Sequence, residues 1–288
     1  MQHHSISNSF RRVVLASACL VGTLSFSTSG HAISITQNTN ALGLAAAVTS
    51  GASGLTVTGA TLSGNTNALG AASSGTYTNA SGTYNSIGPG IILSTGNVSD
   101  YGDGPNTVID RSTDYGMAAT AAQEVLLDPI TGGPFSHYDV TQLDLTFSNT
   151  TGKVFFTVVF GTEEYAEFVG SDFIDGYGFY LNGVNIAQVG GQPVNINHPS
   201  MMVLSGTEFD GVLAPGGNPV LLFSGPTLAT GNTLTFIAAD TSDTILDSAV
   251  YISSLSGVNP VPVPAAVWLL GSGLMGLVGI ARRKRAVV

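Results

Sequence analysis

Leu143, Leu145 and Phe147 alternate with Asp144 and Thr146, a period of two that places the three apolar side chains on one face of a strand. Leu55 to Leu62 and Ile91 to Ser94 read the same way, and Val154 to Phe160 is nearly continuously apolar, which predicts a central strand buried on both sides. Val220 to Phe223, Leu234 to Ala238 and Ala249 to Leu255 add three more strands. The strongest hairpin signal is Gly178 to Leu181, then Asn182-Gly183, then Val184 to Ala187, because Asn-Gly supplies the positive φ angles of a type I′ turn. Helical pattern is scarce. Thr39 or Asn40 can cap a short helix through Val48, and Ala-rich Met117 to Leu127 predicts a second. The predicted fold class is all-β: an antiparallel β-sandwich, jelly-roll-like, with one or two short helices at its edge. Asn-Thr-Asn-Ala-Leu-Gly occurs at Asn38 and again at Asn65, but two copies do not make a solenoid.

Composition sharpens this picture. Of 288 residues only 9% are charged and 37 are glycine, which disfavours a helical bundle and suits strands joined by turns. Between Ile33 and Pro260 the basic residues are Arg111 and Lys153, while all 18 acidic residues lie there, a formal balance of −16. Such a surface repels nucleic acid and anionic lipid, and it serves either to attract cations or simply to keep the protein soluble. Cys19 is the single cysteine, so residues 33–260 hold no disulfide, no thiolate metal ligand and no cysteine nucleophile.

The two ends differ in character from the middle. Arg11 and Arg12 precede an apolar run from Val13 to Phe26, and Gly30 and Ala32 stand at the −3 and −1 positions of a cleavage between Ala32 and Ile33. Basic, apolar, small is the order of a secretory signal peptide over residues 1–32. An uncleaved anchor is disfavoured by the short run with its Ser, Thr and Gly. Lipidation at Cys19 is disfavoured by the brief apolar stretch before it. At the other end Val261-Pro262-Val263-Pro264 leads into uncharged residues 265–281 and then Arg282-Arg283-Lys284-Arg285. Roughly 17–20 apolar residues, at about 1.5 Å each, just span a bilayer. The basic cluster then stays cytoplasmic and leaves residues 33–260 outside the inner membrane.

This tail, over residues 259–288, resembles the PEP-CTERM sorting signal of Gram-negative bacteria, with Val263 standing where the namesake glutamate is expected. The resemblance implies recognition by an exosortase and cleavage near Pro262 to Pro264, after a transient stage in the inner membrane. The alternative is a plain C-terminal transmembrane anchor. Residues 33–258 form one domain without an internal linker, and Ser256 to Pro264 is the connector. Within that domain Val159 to Ser171 and Asp172 to Gly183, including Phe160-Gly161-Thr162-Glu163-Glu164-Tyr165 and Asp175-Gly176-Tyr177-Gly178-Phe179, look like the signature of the choice-of-anchor L domain. The likeness extends to Gly90 to Gly96, to Ile237 to Asp240 and to Leu246 to Ile252. That family is defined by attachment through alternative surface-anchoring tails, and no shared catalytic activity or ligand comes with it.

Candidate chemistry lies in the acids. Glu163, Glu164, Glu167, Asp172 and Asp175 crowd 13 residues after a predicted buried strand, and Asp240, Asp243 and Asp247 crowd another loop. Carboxylates on adjoining loops can supply the six to eight oxygens that Ca²⁺ takes at about 2.4 Å. The alternatives are turn capping and a solvated acidic rim, and no EF-hand spacing is present. Glu163 and Glu164, adjacent on an extended chain, point to opposite faces and cannot form a glycosidase pair. His137 and His198 lie near Pro134 and Pro199, as surface loop residues do, and no Gly-x-Ser-x-Gly elbow accompanies them. Tyr165, Phe168, Phe173, Tyr177, Phe179 and Tyr180 suit core packing better than sugar stacking. The function expected is therefore that of a non-enzymatic surface or matrix protein processed by signal peptidase and an exosortase. An adhesion module binding Ca²⁺ or carbohydrate such as exopolysaccharide is the alternative, and a secreted hydrolase comes third.

Overall fold

The computed structural model describes residues 33–260 apart from Ser81. The predicted signal peptide with Ala32, the Pro262-Val263-Pro264 motif, the apolar segment and the basic cluster Arg282 to Arg285 lie outside the described residues. Among the described residues no helix is long and apolar enough to cross a membrane.

Two antiparallel sheets face each other. The first runs β1 (Ser34–Gln37), β3 (Ser74–Thr78), β4 (Gly90–Ser94), β15 (Ser248–Ser256), β6 (Lys153–Thr162), β12 (Gly211–Leu213) and β11 (Met201–Met202), with β13 (Leu221–Pro226) also on β6. The second runs β2 (Leu55–Ser63), β5 (His137–Asn149), β14 (Asn232–Thr241), β7 (Gly176–Leu181), β10 (Gln192–Asn195) and β9 (Gln188–Val189), with β8 (Val184–Asn185) on β7. The all-β antiparallel sandwich expected from the sequence is what forms.

Alternation explains the main core. Leu143, Leu145 and Phe147 of β5, Phe179 of β7 and Phe236 of β14 meet Phe156, Val158 and Val250 from the opposite sheet. Phe156 sits at the centre, 5.0 Å from Phe179 and 5.5 Å from Phe236, both edge to face, the arrangement that aromatic quadrupoles favour. The Ala41–Val48 helix adds Leu44, Ala45 and Val48 to this core and is capped by Asn40, whose Oδ1 accepts from the Gly43 N–H. The Asn182-Gly183 turn has φ of 51° and 82°, as the hairpin signal requires.

Two expectations change. Only the C-terminal part of β6 is buried on both sides, since Phe155 and Thr157 are half-buried. On its outer face Tyr101 and Phe209 pack with Val159 beside Tyr251 and Val212 of the neighbouring strands. The second helix spans Ala121–Thr131 rather than Met117 to Leu127. Thr120 forms a capping box with Gln123, and the residues before it are drawn into β5, where Ala119 N–H donates to His137 O and Asp139 N–H to Met117 O. The Ala121–Thr131 helix packs Leu127 and Ile130 on Ile237 and Ala239 at the outer face of the second sheet.

Truncating the central ring tests this core. Phe156→Ala should cost about 3–5 kcal/mol and lower the thermal midpoint by roughly 10 °C, read by circular dichroism. A change under about 1 kcal/mol would remove Phe156 from the centre of the packing.

Candidate functional site: a buried acidic end

Strand register brings the chemistry-bearing residues to one end of the sandwich. Ser248 of β15 lies opposite Thr162 of β6, and Ala249 opposite Ser94 of β4. In the other sheet Thr241 lies opposite His137, and Ala239 opposite Gly176. Thr95-Gly96, Glu163-Glu164, Asp175, Asp240 and Asp247 therefore sit at or just beyond strand ends on the same side. The sheets are tied there through Ser248, whose Oγ bonds Thr162 Oγ1 and donates to Asp175 Oδ2, both at 2.9 Å. Asp175 Oδ1 accepts from the Thr241 N–H at 3.0 Å.

Five of the eight predicted acids are buried. Glu163, Asp175, Asp240 and Asp247 are 0% exposed and Glu164 is 1% exposed. Asp175 has a donor for each oxygen, but its neighbours do not. Both oxygens of Asp240, Oδ2 of Asp247, Oε1 of Glu163 and Oε2 of Glu164 are buried and make no well-formed hydrogen bond, although Thr95 lies beside Asp240 and Tyr101 beside Asp247. Asp247 Oδ1 accepts from the Thr113 N–H at 2.9 Å, while its Oδ2 occupies the space where a Cβ on Gly96 would stand. Any residue larger than glycine at position 96 would displace that carboxylate.

Burial raises every one of these acids. The Asp247 carboxyl is pushed up to about 7 by desolvation. Glu163 is pushed up to about 9 by desolvation and then by the charge of Asp210, against which the Arg111 N–H acts. Glu164, Asp175 and Asp240 are each raised first by burial, and the charge of Asp175 acts on both of the others. Counter-charge is scarce. The Arg111 guanidinium lies 3.1 Å from Glu208 and 3.9 Å from Asp100. Lys153 begins β6, whose far end carries Thr162, about 30 Å away at strand spacing.

The model of the choice-of-anchor L domain matches residues 33–206. The chain belongs to the choice-of-anchor L family. Neither the curated proteins nor the solved structures gave a match. Membership makes this a surface-associated protein, as the sequence signature implied. The matched stretch takes in Glu163, Glu164 and Asp175, while Asp240 and Asp247 lie beyond it.

The choice-of-anchor L domain separates the remaining expected residues. Glu167 and Asp172 are exposed and Asp243 is half-buried, so these three form a rim, not part of the buried set. His137 and His198 are not surface residues: they are 1% and 6% exposed. His137 Nδ1 pairs with Glu124 Oε2 at 2.5 Å and its Nε2 with Thr131 Oγ1 at 3.3 Å. His198 Nε2 bonds Val189 O and its Nδ1 accepts from the Ser200 N–H. Among the described residues, Glu124, Asp128 and His137 bring three potential metal-ligand atoms within 4.8 Å of one another, but the short Glu124–His137 bond already occupies that group. Of the aromatics, Tyr177 and Phe179 are core, Tyr180 donates its hydroxyl to Leu126 O, and Phe168 and Phe173 pair edge to face at 5.3 Å.

Several neighbours escaped the sequence reading. Asp139 accepts from the Tyr115 and Met117 N–H groups, and Asp210 accepts from Asn106 Nδ2 at 2.5 Å. Asp139 stands in a polar stretch at the start of β5, so its burial had no local signal. Asp210, Tyr101 and Gly96 reach the site by long-range packing that no local pattern announces.

A pH dependence follows. These carboxyls titrate near 4 in the unfolded chain and higher in the fold. Their contribution is whole below about pH 4 and is lost as pH rises through about 7 for Asp247 and about 9 for Glu163. In chelator, stability should fall across that window. Glu163→Gln, which cannot ionise, should gain on the wild type as pH rises. Urea midpoints at pH 5, 7 and 9 test this, and a constant difference between the two proteins would refute it.

Proposed function

We propose that this choice-of-anchor L protein is exported by the general secretory route, sorted and cleaved at its tail by an exosortase, and displayed at the cell surface as a non-catalytic contact domain. The observation that carries the reading is where the domain ends. Strand β15 leaves the acidic end at Ser248 and stops at Ser256. Gly257 N–H donates to Ser53 O, and its carbonyl accepts from Thr151 Oγ1 at 2.7 Å. The chain is thus fastened immediately before the 261–264 motif, at the end opposite the acids. A protein held by its tail would present the acidic end outward. The buried acids favour a role other than catalysis, because substrate must reach a catalytic carboxylate. Glu163 faces Asp210 and Arg111 while Glu164 faces Asp175 and Asp243, so they do not flank a common cleft. The second reading, an adhesion module for carbohydrate such as exopolysaccharide, is favoured by a surface groove of about 440 Å³. It is lined by Tyr165, Ile109, Val203 and Phe209 beside Glu167 and Asp210.

Replacing Arg282 to Arg285 with glutamine should leave a full-length precursor in the inner membrane, while the wild type accumulates as a shorter surface or released species. Mass spectrometry of fractionated cells reads both. A full-length wild type in the inner membrane would favour the plain anchor and overturn the sorting reading.

The N-terminal boundary makes its own prediction. The Ile33 backbone N–H lies 2.6 Å from Asp103 Oδ1. Cleavage between Ala32 and Ile33 turns that donor into an ammonium facing a carboxylate, an interaction worth about 1–3 kcal/mol. The mature protein should begin at Ile33, and Asp103→Asn should destabilise it more than it destabilises the uncleaved precursor. Equal losses in the two forms would place the cleavage elsewhere.

A further inference from the structure

We propose that the acidic end is a divalent-cation site in which Asp240 and Asp247 ligate Ca²⁺, with Asp175 and Glu164 as flanking carboxylates. This goes beyond the display function and does not depend on how the tail is processed.

The argument rests on unmet hydrogen-bonding capacity. A buried carboxylate oxygen normally has a donor, and leaving it without one costs more than a lost hydrogen bond. Asp240 is 0% exposed and neither of its oxygens makes a well-formed hydrogen bond, although the Thr95 side chain and the Asp175 carboxyl lie beside it. Asp247 is also 0% exposed, and its Oδ2 makes no well-formed hydrogen bond, although the Tyr101 side chain lies beside the carboxyl. The two carboxylates are near enough for the charge of Asp247 to act on Asp240. Three carboxylate oxygens without a well-formed hydrogen bond thus lie on two buried side chains. Asp175, whose charge also acts on Asp240, is held in place by Thr241 and Ser248. Glu164 closes the group from the end of β6, with Oε2 likewise without a well-formed hydrogen bond.

Two states can satisfy such a group: protonation of the acids, or a cation among them. The donor set decides which cation. Every candidate ligand is a hard oxygen, and residues 33–260 contain no cysteine. His137, the histidine nearest along β5, is engaged with Glu124 and Thr131. Oxygen-only ligation selects Ca²⁺ or Mg²⁺ over zinc or copper, and irregular ligation from loops and strand ends suits the flexible coordination of Ca²⁺ better than the strict octahedron of Mg²⁺. Gly96 fits the same picture, since the loop after β4 leaves room for the Asp247 carboxylate where a side chain would otherwise stand. The carboxylates do not form a triad within 4.8 Å, unlike Glu124, Asp128 and His137. Binding must therefore draw Asp247 and Glu164 inward toward Asp240, with water or main-chain carbonyls completing the shell.

The test uses the full chain in mild detergent and two probes. Tyr101 lies against Asp247, so Tb³⁺ bound there should luminesce on tyrosine excitation, and Ca²⁺ should displace it. Calcium at about 100 times its Kd should raise the thermal midpoint by roughly 5–10 °C over chelator. Asp240→Asn and Asp247→Asn should each weaken Tb³⁺ binding at least about tenfold, while Glu167→Gln, on the exposed rim, should not. Absence of saturable emission and of a calcium shift up to about 10 mM, beyond the weakest extracellular sites, would overturn the proposal. So would a shift retained by both asparagine variants. If those variants fail to fold, the wild-type melt and Tb³⁺ titration decide alone. A wild type that follows pH but ignores calcium holds its acids protonated, and that result too rejects the site.

Discussion

A carboxylate removed from water must give up its charge or meet an opposite one. At one end of this sandwich five carboxyl groups face that constraint together, with Arg111 the one nearby arginine or lysine among the described residues and already committed to Glu208 and Asp100. Much of the surrounding architecture follows from it. Ser248 and Thr241 donate to Asp175, backbone N–H groups converge on Asp139 and Asp247, and Gly96 yields its side-chain space. Non-glycine residues at positive φ also gather there: Asp110, Asp139, Ser242 and Leu246. Such conformations cost about a kcal/mol or more each and persist where surrounding contacts fix them.

The sandwich itself was legible because burial on one face writes a period of two into the sequence. Leu143, Leu145 and Phe147 announced β5, and Asn182-Gly183 announced the hairpin. Strands such as β1 and β3 were not legible. Ser34–Gln37 and Ser74–Thr78 are largely polar and are strands because neighbours complete their ladders. The acidic site was half legible. Crowding of Glu163 to Asp175 and of Asp240 to Asp247 marked the right segments, but composition cannot distinguish Asp175, wholly buried, from Asp172, exposed three residues earlier. That difference arises where β7 begins.

The repeated hexapeptide shows how far local sequence reaches. At Asn38 it starts a helix, with Asn40 as its cap. At Asn65 the same six residues form a turn in which Asn67 Oδ1 accepts from the Leu69 and Ala71 N–H groups. In both copies an asparagine side chain captures backbone donors, as asparagine does at caps and turns. What differs is the apolar chain that follows. After the first copy Leu44, Ala45 and Val48 enter the core, whereas the second is followed by Ala71-Ala72-Ser73, which lead into β3.

Strand β15 joins the acidic end at Ser248 to the fastened exit at Gly257 and is flanked on both sides, by β4 and β6. Force transmitted between something held at the acidic end and the tail would run along this strand's axis. Its two hydrogen-bond ladders would then be loaded in shear, with their bonds sharing the load instead of opening one after another. The same central placement that buries Val250 and Ile252 in the core thus gives the domain a mechanical spine, aligned between its acidic end and the exit of the chain at Gly257.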